Sequence, residues 1–479
     1  MLEGVEPSWL SILPAAVTIV LAFATRQVIL ALFAGVVCGG LVLAARTGDW
    51  EDLNIVSRFL LPAIGSASFA QILIIYLWCL GGLVGMWGAT GGARHFAETV
   101  GGKIARGPKS ALFFGWLVGV LFHQGGTVST VLAGTTVKPV TDRYRVSHEE
   151  LSYVVDSTAS PIATLIPFNA WPLYVAGLVA GTIPLIPTEQ RAYEFFIGSI
   201  PYNFYALLAV LSTLLFALGW LPWIGARMQR ARIRSRETGA LDAPEAEPML
   251  ASEAPASSDA VGGAPAYSPS LADFVVPIGV LLSIAIVPYV VYGAFRINEA
   301  FLSAVLSAML VARLRGMRLR RIMTAFVHGC QSMTIGAIVL ALAVTLKEVA
   351  GALDTAGFVV TLVGDAVPFV ALPALLGLIC MIIAFSTGTS WGTYAVVFPI
   401  AMPLAYALNP DPTFVSVCFG TVLGGAVFGD QCSPISDTTI LSSMFTGCDL
   451  MDHVRTQLPI ALVAAVLGIA LSTLIAASL

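Results

Sequence analysis

Long runs without a single charged residue recur along this chain. Leu10–Thr25, Val28–Ala45, Ile72–Ala89, Phe204–Leu221, Phe274–Tyr292 and Ile460–Leu474 contain no Asp, Glu, Lys or Arg. Each approaches or reaches the roughly 20 residues a helix needs to cross the hydrocarbon core of a bilayer. Hydrocarbon offers backbone N–H and C=O groups no partner, so chains that cross it must be helical or form closed barrels. Only 11% of the residues are charged, against about 25% in soluble domains. The expectation is an all-α polytopic membrane protein with roughly eleven to thirteen hydrophobic segments, some too short or too polar to be plain spans. Its first partner is the lipid bilayer, and its expected location is the plasma (inner) membrane. The N-terminus lacks the basic region and cleavage site of a signal peptide, so the first run reads as a retained span. A net charge of −4 gives no hint of nucleic acid. The seven cysteines are scattered, without a CxxC or a His/Cys cluster. No metal or redox cofactor is expected.

Four polar interruptions break the apolar pattern, two in each half. They are His123-Gln-Gly-Gly-Thr-Val-Ser-Thr130, Asp156-Ser-Thr-Ala-Ser-Pro161 reaching Asn169, Phe385-Ser-Thr-Gly-Thr-Ser-Trp-Gly-Thr393 and Phe428-Gly-Asp-Gln-Cys-Ser-Pro-Ile-Ser-Asp-Thr-Thr-Ile-Leu-Ser-Ser443. The first continues through Ala133-Gly-Thr-Thr136 to Lys138-Pro139. Gly and Pro there predict re-entrant hairpins or unwound helices, which survive at membrane depth only where protein or a water-filled cavity satisfies them. Ionisable groups at such depth mark an ion or substrate pathway by default. Asp156, Asp430 and Asp437 are therefore the leading carboxylates, the alternative being loop positions at the membrane surface. Hydroxyls and freed carbonyls supply what Na⁺ needs in place of its water shell, although a Ser or Thr in a membrane helix often bonds only to backbone. Gln124, Thr127, Ser129 and Thr130 are the polar groups of the first interruption. His123 reads either as a structural residue or as a proton carrier. Lys347-Glu348 reads equally as a neutralised structural pair or as part of a pathway. Asp354 and Asp365 read as loop acids. Arg143, Arg145, Glu149 and Glu150 read as a solvated loop.

The halves look alike. Ser160-Pro161-Ile162 recurs as Ser433-Pro434-Ile435, an offset of 273, and Gly126-Thr127 recurs as Gly388-Thr389, an offset of 262. Val84-Gly85 with Gly91 recurs as Ala350-Gly351 with Gly357, an offset of 266. Similar offsets in one order predict a duplicated unit, and such repeats in transporters are commonly inverted around a midplane site. We expect a first transmembrane repeat over 1–224, a flexible cytoplasmic linker over 225–269 and a second repeat over 270–479. The arginines of 227–236 place the linker in the cytoplasm. Its Ala, Pro, Ser and acidic residues cannot build a core.

Gly429-Asp-Gln-Cys-Ser-Pro-Ile-Ser-Asp-Thr-Thr-Ile-Leu-Ser-Ser443 closely resembles the signature of the NhaC-type Na⁺/H⁺ antiporter family. Ser386-Thr-Gly-Thr-Ser-Trp-Gly-Thr393, and Lys138-Pro-Val-Thr-Asp-Arg-Tyr144 with Asp156-Ser-Thr-Ala-Ser-Pro161, resemble its other segments in the expected order. The resemblance spans roughly residues 10–475. It implies a secondary transporter of the ion-transporter superfamily, with inverted repeats, paired re-entrant hairpins, broken helices and a homodimer. The site positions it implies are Asp156, Ser157, Thr158, Thr387, Thr389, Ser390, Asp430, Ser433, Ser436, Asp437, Thr438 and Thr439. Asn169 joins them as an amide donor from the residue pattern alone. Asp430, Asp437 and Asp156 are the Na⁺ candidates. One departure stands out: many relatives carry two adjacent acids where this chain has His123-Gln124. That removes negative charge from the implied site.

The leading expectation is a Na⁺/H⁺ antiporter, with Na⁺ and H⁺ as cargo. The alternative is a Na⁺- or H⁺-coupled carrier of a small organic acid or amino acid. A channel fits the paired breaks less well than alternating access does. An enzyme is not expected: HExxH and Walker A patterns and a His/Cys metal-ligand cluster are absent from the sequence.

Overall fold

A computed structural model of the chain describes residues 6, 8–25, 28–65, 70, 73, 78–123, 126–247, 267–292, 296–332, 334–355, 357–358, 367–434 and 436–479. Among these residues every regular element is helical. The first part holds α1 (Leu13–Thr25), α2 (Val28–Thr47), α3 (Leu61–Ile64), α4 (Cys79–Thr90), α5 (Gly92–Ile104) and α6 (Pro108–Leu121). It continues with α7 (Gly126–Arg143), α8 (His148–Ser157), the single turn α9 (Ser160–Ala163), α10 (Ala170–Val179), α11 (Glu189–Ser199) and α12 (Phe204–Leu218). After α13 (Ala226–Thr238) come α14 (Ala272–Tyr292), α15 (Ile297–Leu314), α16 (Leu319–Ser332), α17 (Thr334–Ala352) and α18 (Leu372–Thr387). The chain ends with α19 (Ser390–Leu408), α20 (Pro412–Cys432), α21 (Asp437–Thr446) and α22 (Leu450–Ser478).

Five helices among the described residues are long and apolar enough to cross a bilayer: Ile29–Thr47, Phe369–Thr387, Ser390–Leu408, Pro412–Cys432 and Leu450–Ser478. Shorter apolar helices stand beside them, and the pair Glu189–Tyr202 and Phe204–Leu218 is bent by 54°. Three successive helices in each part start at one spacing. Pro108 and Leu372, Gly126 and Ser390, and His148 and Pro412 each differ by 264.

The centre of the fold is α20. It packs against α18, α19, α22 and α12, and its residues from Phe414 to Cys432 are buried almost without interruption. Glycines make the close packing possible. A Cβ on Gly429 would lie 2.4 Å from both the Ala384 Cβ and the Phe385 nitrogen, and one on Gly425 would lie 2.7 Å from the Gly377 carbonyl. Without a hydrophobic drive between helices in lipid, small residues that let backbones approach favour association.

The third and fourth polar interruptions are breaks with local causes. Gly388, at φ 68, ends α18 in a left-handed turn, and Thr389 caps α19 by accepting from the Gly392 N–H. Ser436 caps α21 by accepting from the Thr438 N–H. Asp411 caps α20 by accepting from the Thr413 and Phe414 N–H groups.

Two expectations are corrected. The segment 225–269 does not begin as a flexible linker, because Ala226–Thr238 is a helix; residues 248–266 lie outside the described residues. Glu149 and Glu150 are buried, not solvated. The Arg232 Nε lies 2.8 Å from the Glu150 Oε1, the Arg236 Nη2 3.1 Å from its Oε2, and the Arg234 Nη2 2.8 Å from the Glu149 Oε1. The arginine run that signalled a cytoplasmic linker is thus the positive half of a set of ion pairs at the start of α8. Asp365 lies outside the described residues, and Asp354 accepts from the Gly357 N–H through its Oδ1.

Candidate functional site

Two buried carboxylates organise the interior where α8, α20, α21 and α22 meet. Asp430 lies near the end of α20. Its Oδ2 accepts from Ser160 Oγ at 3.0 Å and from Ser390 Oγ at 2.8 Å, and its Oδ1 accepts from Ser436 Oγ at 2.7 Å. These hydroxyls come from three separate breaks: the start of α9, the start of α19 and the cap of α21. Each break frees a polar side chain at depth, and α20 carries the acid to their meeting point. The start of α7 closes the same region, since a Cβ on Gly126 would lie 2.6 Å from Thr438 Cγ2 and 2.9 Å from Ser160 Oγ. Beside Ser390, the Trp391 ring lies on Tyr174 at 4.3 Å between centroids, and the Tyr174 hydroxyl donates to the Trp391 carbonyl at 2.8 Å. These rings hold the start of α19 in place.

Asp156, on α8, has a different set of partners. Its Oδ2 lies 3.0 Å from His453 Nε2, accepts from Gln457 Nε2 at 3.0 Å and accepts from Thr439 Oγ1 at 3.2 Å. Thr439 links the clusters, lying 3.3 Å from the Asp430 carbonyl oxygen. Gln431 links them too: its Oε1 accepts from the Tyr205 hydroxyl at 2.7 Å and its Nε2 donates to Ser157 Oγ at 2.8 Å. Asp156, Asp430, His453, Gln431 and Gln457 are all essentially without solvent exposure. A buried carboxylate is tolerated only when it is paired or hydrogen-bonded. Both are, but by different chemistry: Asp430 by neutral hydroxyls, Asp156 by an imidazole and an amide.

The remaining expected residues divide cleanly. Ser436, Ser390 and Asp430 meet in the hydroxyl cage, and Thr438 Oγ1 sits 3.1 Å from Ser436 Oγ at its rim. Thr439, Ser157 and Asp156 belong to the neighbouring cluster. Ser433 donates to the Phe385 carbonyl at 2.6 Å and ties α20 to the end of α18. Others show structural bonds. Thr158 and Thr387 donate to carbonyls four residues back in their own helices. Thr389 is a cap. Asn169 caps α10 through the Trp171 N–H and donates to the Ala163 and Ile166 carbonyls. His123 is buried, with its Nδ1 3.1 Å from the Val120 carbonyl oxygen. Ser129 and Thr130 are buried on α7. Gln124 and the side chains of Thr127 and Asp437 lie outside the described residues. Lys347 donates from its Nζ to the Ala180 carbonyl at 2.7 Å, placing a positive charge at the end of α10.

Sequence reasoning missed Ser160, His453, Gln457 and Gln431. Ser160 and Gln431 stand inside quoted interruptions, and Ser160 matches Ser433 across the repeat. The signal for the other two was polar residues four apart in the last apolar helix, one face of it.

Comparison with known proteins agrees with this architecture. The model of the Na⁺/H⁺ antiporter family matches residues 162–477. A protein of Haemophilus influenzae described as uncharacterised is 30% identical, over 94% of this chain and 88% of its own length. The malate-2H⁺/Na⁺-lactate antiporter of Bacillus subtilis is 29% identical over 43% of each chain. Among solved structures, the Alcanivorax borkumensis YdaH transporter has a similar fold, with a TM-score of 0.58 over 94% of this chain and 97% of that one, at 14% identity.

Proposed function

This chain belongs to the Na⁺/H⁺ antiporter family, and from that premise we propose that it exchanges Na⁺ for protons at Asp430. It is a multi-pass membrane protein and a secondary antiporter. The observation that supports the site assignment is the buried Asp430 carboxylate facing three hydroxyls from three helix breaks.

Among the described residues the donor set is all oxygen and carries the charge of Asp430, which suits a small hard cation. With Asp430 ionised and no cation present, the hydroxyls donate to it. A Na⁺ ion arriving at the carboxylate finds the same hydroxyl oxygens ready to turn their lone pairs toward it. A proton on Asp430 removes the charge that holds Na⁺. Either occupant neutralises the buried acid, and binding of one expels the other. An empty, charged site is the state that desolvation penalises most, so the protein crosses between inward- and outward-facing states loaded. That is the condition for obligatory exchange. The ion gradients supply the driving force.

We place the protein in the plasma (inner) membrane as a homodimer, on the family resemblance. The test is flux in proteoliposomes holding the purified protein and a trapped pH dye. Na⁺ added outside produces proton efflux in the wild type and none in Asp430→Asn, which keeps its fold. Wild-type exchange in Asp430→Asn refutes the assignment. Folded wild-type protein that moves no protons with Na⁺ shifts the function to Na⁺- or H⁺-coupled transport of a small organic acid or amino acid.

A further inference from the structure

Gln457 lies on α22, a helix that contributes none of the three hydroxyls meeting Asp430. Two of the elements that build the cage nevertheless come together at its amide. We propose that Gln457 is a positioning residue for Na⁺: by tying Asp156 of α8 to the end of α20, it holds the Ser160 hydroxyl against Asp430. The inference rests on the cation reading of Asp430 and adds a residue to it.

The orientation of the amide is fixed by its partners. Gln457 is fully buried, and one end of its side chain lies against both Asp156 Oδ2, at 3.0 Å, and the Gln431 carbonyl oxygen. A carbonyl oxygen only accepts, so the atom facing it is Nε2, with one hydrogen for each partner. The other end gains nothing comparable: Gln457 Oε1 is buried without a hydrogen-bond partner. An unpaired buried oxygen lowers stability, and an apolar side chain of similar length would avoid that loss. The two donated bonds are the physical reason for an amide here.

Counting hydrogens shows what those bonds do. The last carbonyls of α20 have no partner inside their own helix. The Ser433 N–H serves the Gly429 carbonyl. The Thr439 hydroxyl lies within reach of three acceptors, 3.3 Å from the Asp430 carbonyl oxygen, 2.9 Å from the Gln431 carbonyl oxygen and 3.2 Å from Asp156 Oδ2. It has one hydrogen to give. Gln457 supplies two more, to Gln431 and Asp156, so all three acceptors are served at once. Without Gln457, even with His453 serving Asp156, the two carbonyls of α20 share one hydrogen. The helix end then loses a tie one residue beyond Asp430.

The tie reaches the cage through a short stretch of chain. The Ala159 N–H donates to the Asp156 carbonyl at 3.0 Å, and Ser160 follows at the start of α9. Ser160 Oγ donates to Asp430 Oδ2 at 3.0 Å. Asp156 and Ser160 therefore stand on one side, Gln431 and Asp430 on the other, and Gln457 bridges them. The bond from Gln431 Nε2 to Ser157 Oγ, at 2.8 Å, runs between the same two elements. Ser390 and Ser436 reach Asp430 from α19 and from the cap of α21, so loss of Gln457 falls first on Ser160. A binding constellation needs its ligands within about 0.5 Å of the productive geometry. A small separation of α8 from α20 is enough to weaken Na⁺ binding.

The experiment is a double-mutant cycle of Gln457→Met and Ser160→Ala in the purified full chain. Na⁺ affinity is read at one pH as the NaCl concentration for half-maximal thermal stabilisation, with choline chloride keeping the ionic strength constant. Each single variant weakens Na⁺ binding about tenfold, as loss of a hydrogen bond to a charged group does. The double variant stays within about threefold of Ser160→Ala, whereas independent effects multiply to about a hundredfold. A residue that only supports the fold lowers the melting temperature and acts independently of Ser160→Ala. Unchanged Na⁺ affinity in Gln457→Met or in Ser160→Ala, or multiplied effects in the double variant, overturns the inference and leaves Asp430 in place. Wild-type Na⁺ binding in Asp430→Asn overturns instead the cation reading beneath it. If Gln457→Met does not fold, Gln457→Asn takes its place in the cycle. Its shorter amide cannot span both acceptors, and multiplied effects there overturn the inference in the same way.

Discussion

The hydroxyl cage makes a quantitative claim about Ser390. Its Oγ donates to Asp430 Oδ2 at 2.8 Å, and its own helix does not need it, because Thr389 provides the cap of α19. Ser390→Ala therefore removes one oxygen from the site and little from the fold. A hydrogen bond to a charged group contributes about 1.5–3 kcal/mol. The loss falls unequally on the three states of the site. The ionised state loses a donor, the Na⁺-loaded state loses an oxygen ligand, and the protonated state, already neutral, loses least. Protons gain on Na⁺. At fixed pH the Na⁺ concentration for half-maximal exchange should rise about tenfold, the equivalent of about 1.4 kcal/mol. The assay is Na⁺-driven proton efflux from proteoliposomes over a range of NaCl. Thr393→Ala is the control, because its hydroxyl donates to the Thr389 carbonyl within the same helix. It should stay within about twofold of the wild type, as expected for a residue outside the site. A Ser390→Ala protein that melts normally and saturates at the wild-type Na⁺ concentration would refute the cage.

Two further predictions concern the ion pairs at the start of α8. Glu150→Gln strands Arg232 and Arg236 beside a neutral amide; since both arginines are partly exposed, the loss should be about 2 kcal/mol of stability, below that of a fully buried pair. Thermal unfolding in detergent reads it, and an unchanged melting temperature would contradict the pairing. His148, on the linker side of the apolar spans, lies with its Nδ1 2.7 Å from Asp242 and its Nε2 3.3 Å from Asp142. Burial alone would lower the imidazole, but these two carboxylates outweigh it and raise it to about 9. A raised value means stabilisation that is complete below about pH 6.5, the unfolded value, and lost as pH rises through about 9. His148→Gln should therefore melt lower than the wild type near neutral pH, with the gap closing above about pH 9; a gap that does not depend on pH would count against the contact.

Much of this architecture was written in local chain chemistry. Uncharged runs forced helices because hydrocarbon leaves the backbone no other partner. Gly388, Thr389 and Ser436 predicted breaks that the structure places at those residues, since a left-handed turn and a side-chain cap need only their immediate neighbours. Asp430 stood out because an acid among apolar runs has few innocent explanations. The partners of these groups were another matter. Ser160 is 270 residues from Asp430, and His453 is 297 residues from Asp156. In sequence, Ser160 is one hydroxyl among many and His453 one histidine in an apolar helix. The arginines of α13 read as part of a flexible cytoplasmic linker, yet they stand opposite Glu149 and Glu150. A hydrogen bond between side chains has a reach of about 3 Å, so its existence depends on how helices pack. That packing depends on the shapes of opposed faces, such as the glycines of α20 against α18, which no local pattern encodes. Local chemistry alone set acids and hydroxyls between apolar runs; which hydroxyl meets which acid, and that Asp156 lies against His453, follows from how the helices pack.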